Sequence, residues 1–125
     1  MPPLVSVVDD DISIRRSLDR LIRSVRMEVR VFASAEEFLN SDHSRKADCL
    51  ILDIRLPGMS GIELHRHLLA RGCTVPVIFI TAHGSGDRAR AEAASDSTVA
   101  YFTKPFSGDE LLDAVNTALK WKSGD

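Results

Sequence analysis

Five short apolar runs divide the chain, and between them apolar residues recur at helical spacing. Leu4 to Val8 is the first run, and it stops at three adjacent acids, Asp9, Asp10 and Asp11. Next, Ile14, Leu18, Leu21, Ile22 and Val25 share one face while Arg15, Arg16, Asp19, Arg20 and Arg23 occupy the others. This predicts an amphipathic helix starting near Asp11 or Ser13. Glu28 to Phe32 predicts a strand. Ser34 to Glu37 has the form of a capping box, serine with glutamate three positions on, and opens a short helix that buries Ala35, Phe38 and Leu39. A polar loop over Asn40 to Lys46 leads to Cys49-Leu50-Ile51-Leu52, which lacks polar alternation, as expected of a strand covered on both faces of a parallel sheet. That run ends at Asp53, after which Pro57, Gly58 and Gly61 turn the backbone away. Ser60 to Glu63 repeats the capping pattern for a helix to about Arg71, stopped by Gly72. Val75 to Ile80, closing with Thr81, is the fourth strand, with Pro76 tolerable near its start. A loop through His83 and Asp87 precedes a weakly apolar, alanine-rich helix over Arg88 to Ala94. Val99 to Thr103 is the fifth strand, and Lys104-Pro105-Phe106 follows it. Ser107 to Glu110 then opens a helix carrying Leu111, Leu112, Val115, Ala118 and Leu119 and reaching Trp121.

Strands alternating with helices through short connections imply right-handed crossovers, hence a doubly wound α/β fold: a five-stranded parallel sheet with helices on both faces. At 125 residues, 44% hydrophobic and 27% charged, the chain is expected to be one domain, 1–125, with 122–125 a frayed tail or the start of a linker. Sixteen basic against eighteen acidic residues argue against a nucleic-acid surface built from bulk positive charge. No apolar run approaches a membrane span, and the start lacks the basic flank and cleavage site of a signal peptide, so the expected location is cytoplasmic. Cys49 and Cys73 form no Cys-x-x-Cys pair and are read as reduced, Cys49 as a core residue. His65 and His67, two positions apart on one helix, point to different faces. They are poor candidates for a shared metal and are read as surface residues.

Asp53 by itself has two readings, a turn cap or a ligand-binding acid at the carboxyl end of a strand. In a parallel sheet the ends of strands one, three, four and five meet along one edge, which gathers Asp9, Asp10, Asp53, Thr81 and Lys104. Close carboxylates repel, and a hard divalent cation with oxygen ligands relieves that repulsion, which favours Mg2+. Metal, Lys104 and the Thr81 hydroxyl together suit a phosphoryl group, and the central Asp53 is the candidate nucleophile.

Four segments carry a family resemblance: Val7 to Asp11, Leu52 to Gly61, Phe79 to Gly84 and Tyr101 to Phe106. Together they resemble the receiver domain of two-component response regulators, over essentially the entire chain, and the Ser34-Ala35-Glu36 and His83-Gly84 wording is most similar to the FixJ subgroup. The resemblance implies a flavodoxin-like sheet of order 2-1-3-4-5. It implies that Asp53 accepts a phosphoryl group from a histidine kinase, with Mg2+ held by Asp10, Asp53 and the main-chain carbonyl of Arg55, and with Asp9 acting through water. Thr81 and Lys104 would bind the phosphoryl oxygens. Tyr101, otherwise a half-buried strand aromatic, would turn inward as Thr81 moves, and the Lys104–Pro105 bond would be cis. Arg55 and His83 would flank the site and influence dephosphorylation; Asp11 would cap a helix or assist the metal. Such a domain is not an enzyme in its own right. It controls an output domain or partner protein, with a homodimer on phosphorylation possible, and binds neither nucleic acid nor membrane itself. If the chain stands alone it would act by docking; if cut from a longer regulator, a DNA-binding domain would follow.

One region departs from the pattern. An Ala-Gly-Ala type turn is expected before the fifth strand, but Ala93-Ala94-Ser95-Asp96-Ser97-Thr98-Val99-Ala100 stands there, and the preceding loop carries an extra residue at Ser85-Gly86. Residues 88–97 are therefore expected to be the most mobile and an uncertain dimer surface. Two alternatives compete. A haloacid-dehalogenase-type phosphatase needs a second acid two residues after its nucleophile, where Arg55 stands. A phosphorylation-independent docking module would keep the fold alone.

Overall fold

The computed structural model describes residues 2–41, 46–82 and 86–122. In chain order the elements are β1 (Leu4–Val8), α1 (Ile12–Ser24), β2 (Glu28–Phe32), α2 (Ala35–Leu39), β3 (Cys49–Asp53), α3 (Gly61–Ala70), β4 (Val77–Thr81), α4 (Gly86–Ala93), β5 (Thr98–Thr103) and α5 (Gly108–Lys122). The strands form one parallel sheet in the order β2-β1-β3-β4-β5, the doubly wound fold expected from the alternation of strands and helices. No helix among the described residues is long and apolar enough to cross a membrane. Of the loop expected over His83 to Asp87, Gly86 and Asp87 belong to α4, which starts two residues before the expected Arg88, and of the tail expected at 122–125, Lys122 belongs to α5; residues 83–85 and 123–125 lie outside the described residues.

All five residues of β3 and all five of β4 are buried, which is why neither alternates in sequence. Their period of two still sorts the core into two faces. Val5, Val7, Ile51, Ile78 and Ile80 pack against Leu18 and Ile22 of α1 and Leu111, Val115 and Ala118 of α5. Val8, Leu50, Leu52 and Phe79 pack on the other face against Phe38 of α2, Leu64 and Leu68 of α3, and Ala93 of α4. Cys49 lies inside this core, and burial pushes its thiol up to about 12.

The helices begin where polar caps allow. Asp11 accepts from Ser13 N at 2.8 Å and caps α1. Ser60 and Glu63 form the full reciprocal box at the head of α3. Ser34 caps α2 by accepting from Glu37 N at 3.0 Å, but the Glu37 carboxylate reaches back to Ala33 N at 3.4 Å, one residue short of closing the expected box on Ser34. Ser107 accepts from Glu110 N at 3.3 Å. Gly72, at φ 78°, supplies the left-handed residue that ends α3. β4 starts two residues later than expected, because Pro76 offers only its carbonyl, to Leu50 N at 3.0 Å, and stays outside the strand.

His65 corrects the expectation of a surface residue: it is 4% exposed, while His67 does point elsewhere and is half-buried. His65 belongs to the apolar stripe of Leu64 and Leu68, stands edge-on to Phe79 with ring centroids 5.5 Å apart, and meets Ser97 Oγ through Nε2 at 2.7 Å. Burial holds its pKa below the usual 6.5. The unfolded chain therefore binds a proton at His65 that the fold resists, so this stability is complete above pH 6.5 and is lost as pH falls below it. His65→Gln is expected to remove that part of the acid destabilisation. Urea unfolding at pH 7.5 and pH 5 should show a larger loss for wild type than for the variant, and parallel losses would refute it.

Candidate functional site

Four strand ends meet at one edge of the sheet, and each delivers one of the residues singled out by sequence. Asp9 follows β1 directly; its N–H bonds to Phe32 O at 3.0 Å, so the side chain turns into the edge, fully buried. Its Oδ1 accepts from Asp11 N at 2.8 Å, and its carbonyl accepts from the Arg15 guanidinium at 2.8 Å. Asp10 beside it is exposed. Asp53 closes β3, 4% exposed, with Oδ1 accepting from Arg55 N at 3.1 Å and Oδ2 accepting from Lys104 Nζ at 3.1 Å. Thr81 closes β4, fully buried. Lys104 follows β5, its N–H bonded to Thr81 O at 2.8 Å, and its bond to Pro105 is cis, as expected.

Lys104 Nζ also lies 2.9 Å from Asp9 Oδ2, so one ammonium stands between two buried carboxylates. The contact with Asp9 is an ion pair by distance whose angle does not make a hydrogen bond. Burial works against the Lys104 charge, but the two acids outweigh it and hold its pKa above the usual lysine value. For Asp53 the balance goes the other way. Burial first, and then the Asp9 charge, raise its pKa, and the attraction of Lys104 together with the Arg55 N–H does not cancel them. Lys104 thus does not fully offset the cost of a charge on Asp53.

Carboxylate oxygens of Asp9, Asp10 and Asp53 lie within 4.8 Å of one another. Three carboxylates at this spacing, with one ammonium among them, are a hard oxygen donor set that fits a hard divalent cation. A groove of about 710 Å³ opens beside them, lined by Asp10, Arg55, Pro57, Glu63 and Arg66 among others, which gives a reactant access from solvent.

The sequence profile of the family described as "Response regulator receiver domain" matches residues 5–116. The chain belongs to the response regulator receiver family. It is 46% identical over 115 residues to nodulation protein W of Bradyrhizobium diazoefficiens, covering 92% of this chain and 50% of that protein. It is 41% identical over 117 residues to the response regulator TmoT of Ectopseudomonas mendocina, covering 94% of this chain and 53% of that protein. The chain therefore spans about half the length of these curated relatives. Among solved structures, the response regulator StyR superposes with a TM-score of 0.87 at 40% identity, over 99% of this chain and 62% of that one. The N-terminal part of FixJ gives 0.83 at 31% identity, over 96% and 95%. Receiver domains as a family are phosphorylated on an aspartate.

Other residues of this receiver domain escaped the sequence reading. Gly61 donates to Ile54 O at 3.0 Å, and a Cβ there would lie 2.1 Å from the Asp53 carbonyl oxygen, so only glycine lets the loop fold back under the acid. Glu36 accepts from Met59 N at 2.9 Å and ties that loop to α2; this backbone bond holds its carboxyl below the usual range. Glu36 was hidden because its partner Met59 lies 23 positions away; Gly61 was visible as part of the turn, but not its close approach to the Asp53 backbone. Tyr101 sits half-buried in β5 beside Phe79, with its hydroxyl inside and without a hydrogen-bond partner among the described residues. The Arg90 guanidinium lies 5.1 Å from the centre of its ring. His83 lies outside the described residues.

The electrostatics of Asp53 predict a measurable cost. In chelator, Asp53→Asn keeps the shape and removes one repelling charge, so it should stabilise the fold and raise Tm. Added Mg2+ should raise Tm in wild type and leave the variant nearly unmoved. A variant less stable than wild type in chelator would mean that Lys104 outweighs burial and Asp9 after all.

Proposed function

We propose that Asp53 is the phosphoacceptor of this receiver domain, charged by a sensor histidine kinase or a phosphotransfer protein in the cytoplasm. The observation that supports it most is a buried carboxylate at the end of β3, 3.1 Å from Lys104 Nζ, with Thr81 ending the adjacent strand. An Asp53 oxygen attacks phosphorus, the P–N bond of the phosphohistidine breaks, and its electron pair stays on the imidazole nitrogen. Burial and the Asp9 charge make the Asp53 carboxylate more basic than usual, which favours it as nucleophile.

Asp10, Asp53 and the main-chain carbonyl of Arg55 would hold Mg2+, with Asp9 acting through water. When bound, the ion would supply the positive charge that lets a carboxylate meet an anionic phosphoryl group. After transfer, negative charge moves outward from the carboxylate to the phosphoryl oxygens. Lys104 follows it from Asp53 to one oxygen, and the Thr81 hydroxyl donates to another. Thr81 pairs with Thr103, two residues along β5 from Tyr101, so its movement bears on the ring that faces α4. The state of Asp53 would be read by an output domain or partner protein, or by a second phosphorylated copy. A net charge of −2 supports protein rather than nucleic acid as the immediate partner.

Incubation with a small phosphodonor and Mg2+, read by mass spectrometry, should add one phosphoryl group to wild type and none to Asp53→Asn. Equal labelling of both overturns the assignment and places the acceptor on another residue, and no labelling of either returns the chain to a docking role. Lys104→Ala should still accept the group but lose roughly tenfold or more of the gain in partner affinity that phosphorylation gives wild type. An equal gain in both proteins would remove Lys104 from the coupling.

A further inference from the structure

Among the α4 residues whose side chains are described, Arg90, Ala91 and Glu92 are exposed and Ala93 enters the core. The end of α4 is held by hydroxyls. Thr98 Oγ1 donates to the Ala93 carbonyl at 2.7 Å, which spends its only proton, so it accepts from Ser95 Oγ at 3.0 Å. The Ser95 proton is then also spent, and its oxygen accepts from Ser97 N at 3.3 Å and from Ser97 Oγ at 3.2 Å. Ser97 Oγ, having donated, accepts from His65 Nε2 at 2.7 Å. The chain of bonds has one direction, and it makes His65 the Nε2–H tautomer.

Ser97 is 9% exposed and also accepts from Val77 N at 2.8 Å through its carbonyl, so this end of α4 is fixed to α3 and to the sheet at once. Toward its other end, α4 meets the sheet through Arg90, whose guanidinium covers the Tyr101 ring. An exposed contact of this kind is weak and reversible. His65, Phe79, Tyr101 and Arg90 thus form a row across α3, β4, β5 and α4.

We propose that His65 and Arg90 are the positioning residues of α4: His65, through Ser97, forms its fixed hinge, and Arg90, on Tyr101, its releasable latch. Displacement of Tyr101 then frees Arg90 and swings α4 about Ser97. The trigger rests on the phosphoacceptor reading; the two fastenings do not, and they are tested in untreated protein.

The nitrogen spectrum of His65 should show the Nε2–H tautomer, and the Nδ1–H tautomer overturns the hinge. His65→Leu should speed amide hydrogen exchange at Ser97 and Thr98 about tenfold, as loss of one buried hydrogen bond does, while His65→Gln, which keeps an N–H donor, stays near wild type. Equal exchange in Leu and Gln variants overturns it too. If His65→Leu does not fold, Ser97→Ala makes the same comparison with a smaller change. The chain has one tyrosine, so fluorotyrosine gives one resonance. Arg90→Ala should move that resonance toward free tyrosine and leave Ser97 and Thr98 exchange unchanged. An unmoved resonance, or exchange at those amides as fast as in His65→Leu, overturns the latch. Beryllofluoride with Mg2+, a phosphoryl mimic, should shift the tyrosine resonance and speed exchange in residues 91–93. A shifted tyrosine with unchanged α4 overturns the coupling, whereas no response anywhere counts against the phosphoacceptor reading and leaves the hinge results standing.

Discussion

Two buried carboxylates sharing one ammonium set the terms for the whole molecule. Asp9 and Asp53 are brought together because β1 and β3 are adjacent and parallel, and Lys104 reaches both because β5 ends at the same edge. Lys104 is held charged by the acids, yet Asp53 remains more basic than an ordinary aspartate. The edge is therefore short of positive charge, and any cation or charge rearrangement there changes the free energy of the fold. A site that were electrostatically satisfied would have nothing to transmit.

Transmission also requires that the acid itself not drift. Asp53 is clamped by the Arg55 N–H, and the loop that carries Arg55 is clamped in turn, by Gly61 against the Asp53 and Ile54 backbone and by Glu36 on Met59. Gly58, at φ 75°, lets the loop pass the Glu36 carboxylate, where a Cβ would come within 2.7 Å of it. A loop fixed at both ends passes a change at Asp53 toward Thr81 and Lys104 instead of absorbing it.

The strands and their terminal residues were legible because burial on both faces leaves an unbroken apolar run, and the residue that breaks the run is the one at the edge. Asp53 and Thr81 follow from that rule and Asp9 and Asp10 from the first strand, whereas Lys104 comes one residue after Thr103 has ended the half-buried run of β5. His65 was misjudged for the complementary reason. Its helical phase puts it with Leu64 and Leu68, but what makes a buried imidazole tolerable is Ser97, thirty-two positions away, and linear spacing carries no trace of it. The polar stretch at residues 95–98 looked like a break in the family pattern. In three dimensions its hydroxyls satisfy one another, the Ala93 carbonyl and His65, so the same residues that weaken the apolar stripe hold the end of α4.

Magnitudes decide which element can answer the charge change. Leu18 and Ile22 of α1, and Leu111, Val115 and Ala118 of α5, are fully buried, and each large apolar side chain among them contributes roughly 1.5–3 kcal/mol by burial. Coupling free energies between sites are typically about 1–3 kcal/mol. Moving α1 or α5 would therefore cost more than an aspartyl site can supply. Among the described residues, α4 offers the core one buried alanine, and it meets the sheet through an exposed cation–π contact worth about 0.5–1 kcal/mol and a hydrogen-bonded end. Breaking the Arg90–Tyr101 contact lies within what the site can deliver. The thin packing of α4 is thus what permits a response, and the buried His65–Ser97 bond is what keeps the response a rotation about one end instead of local unfolding.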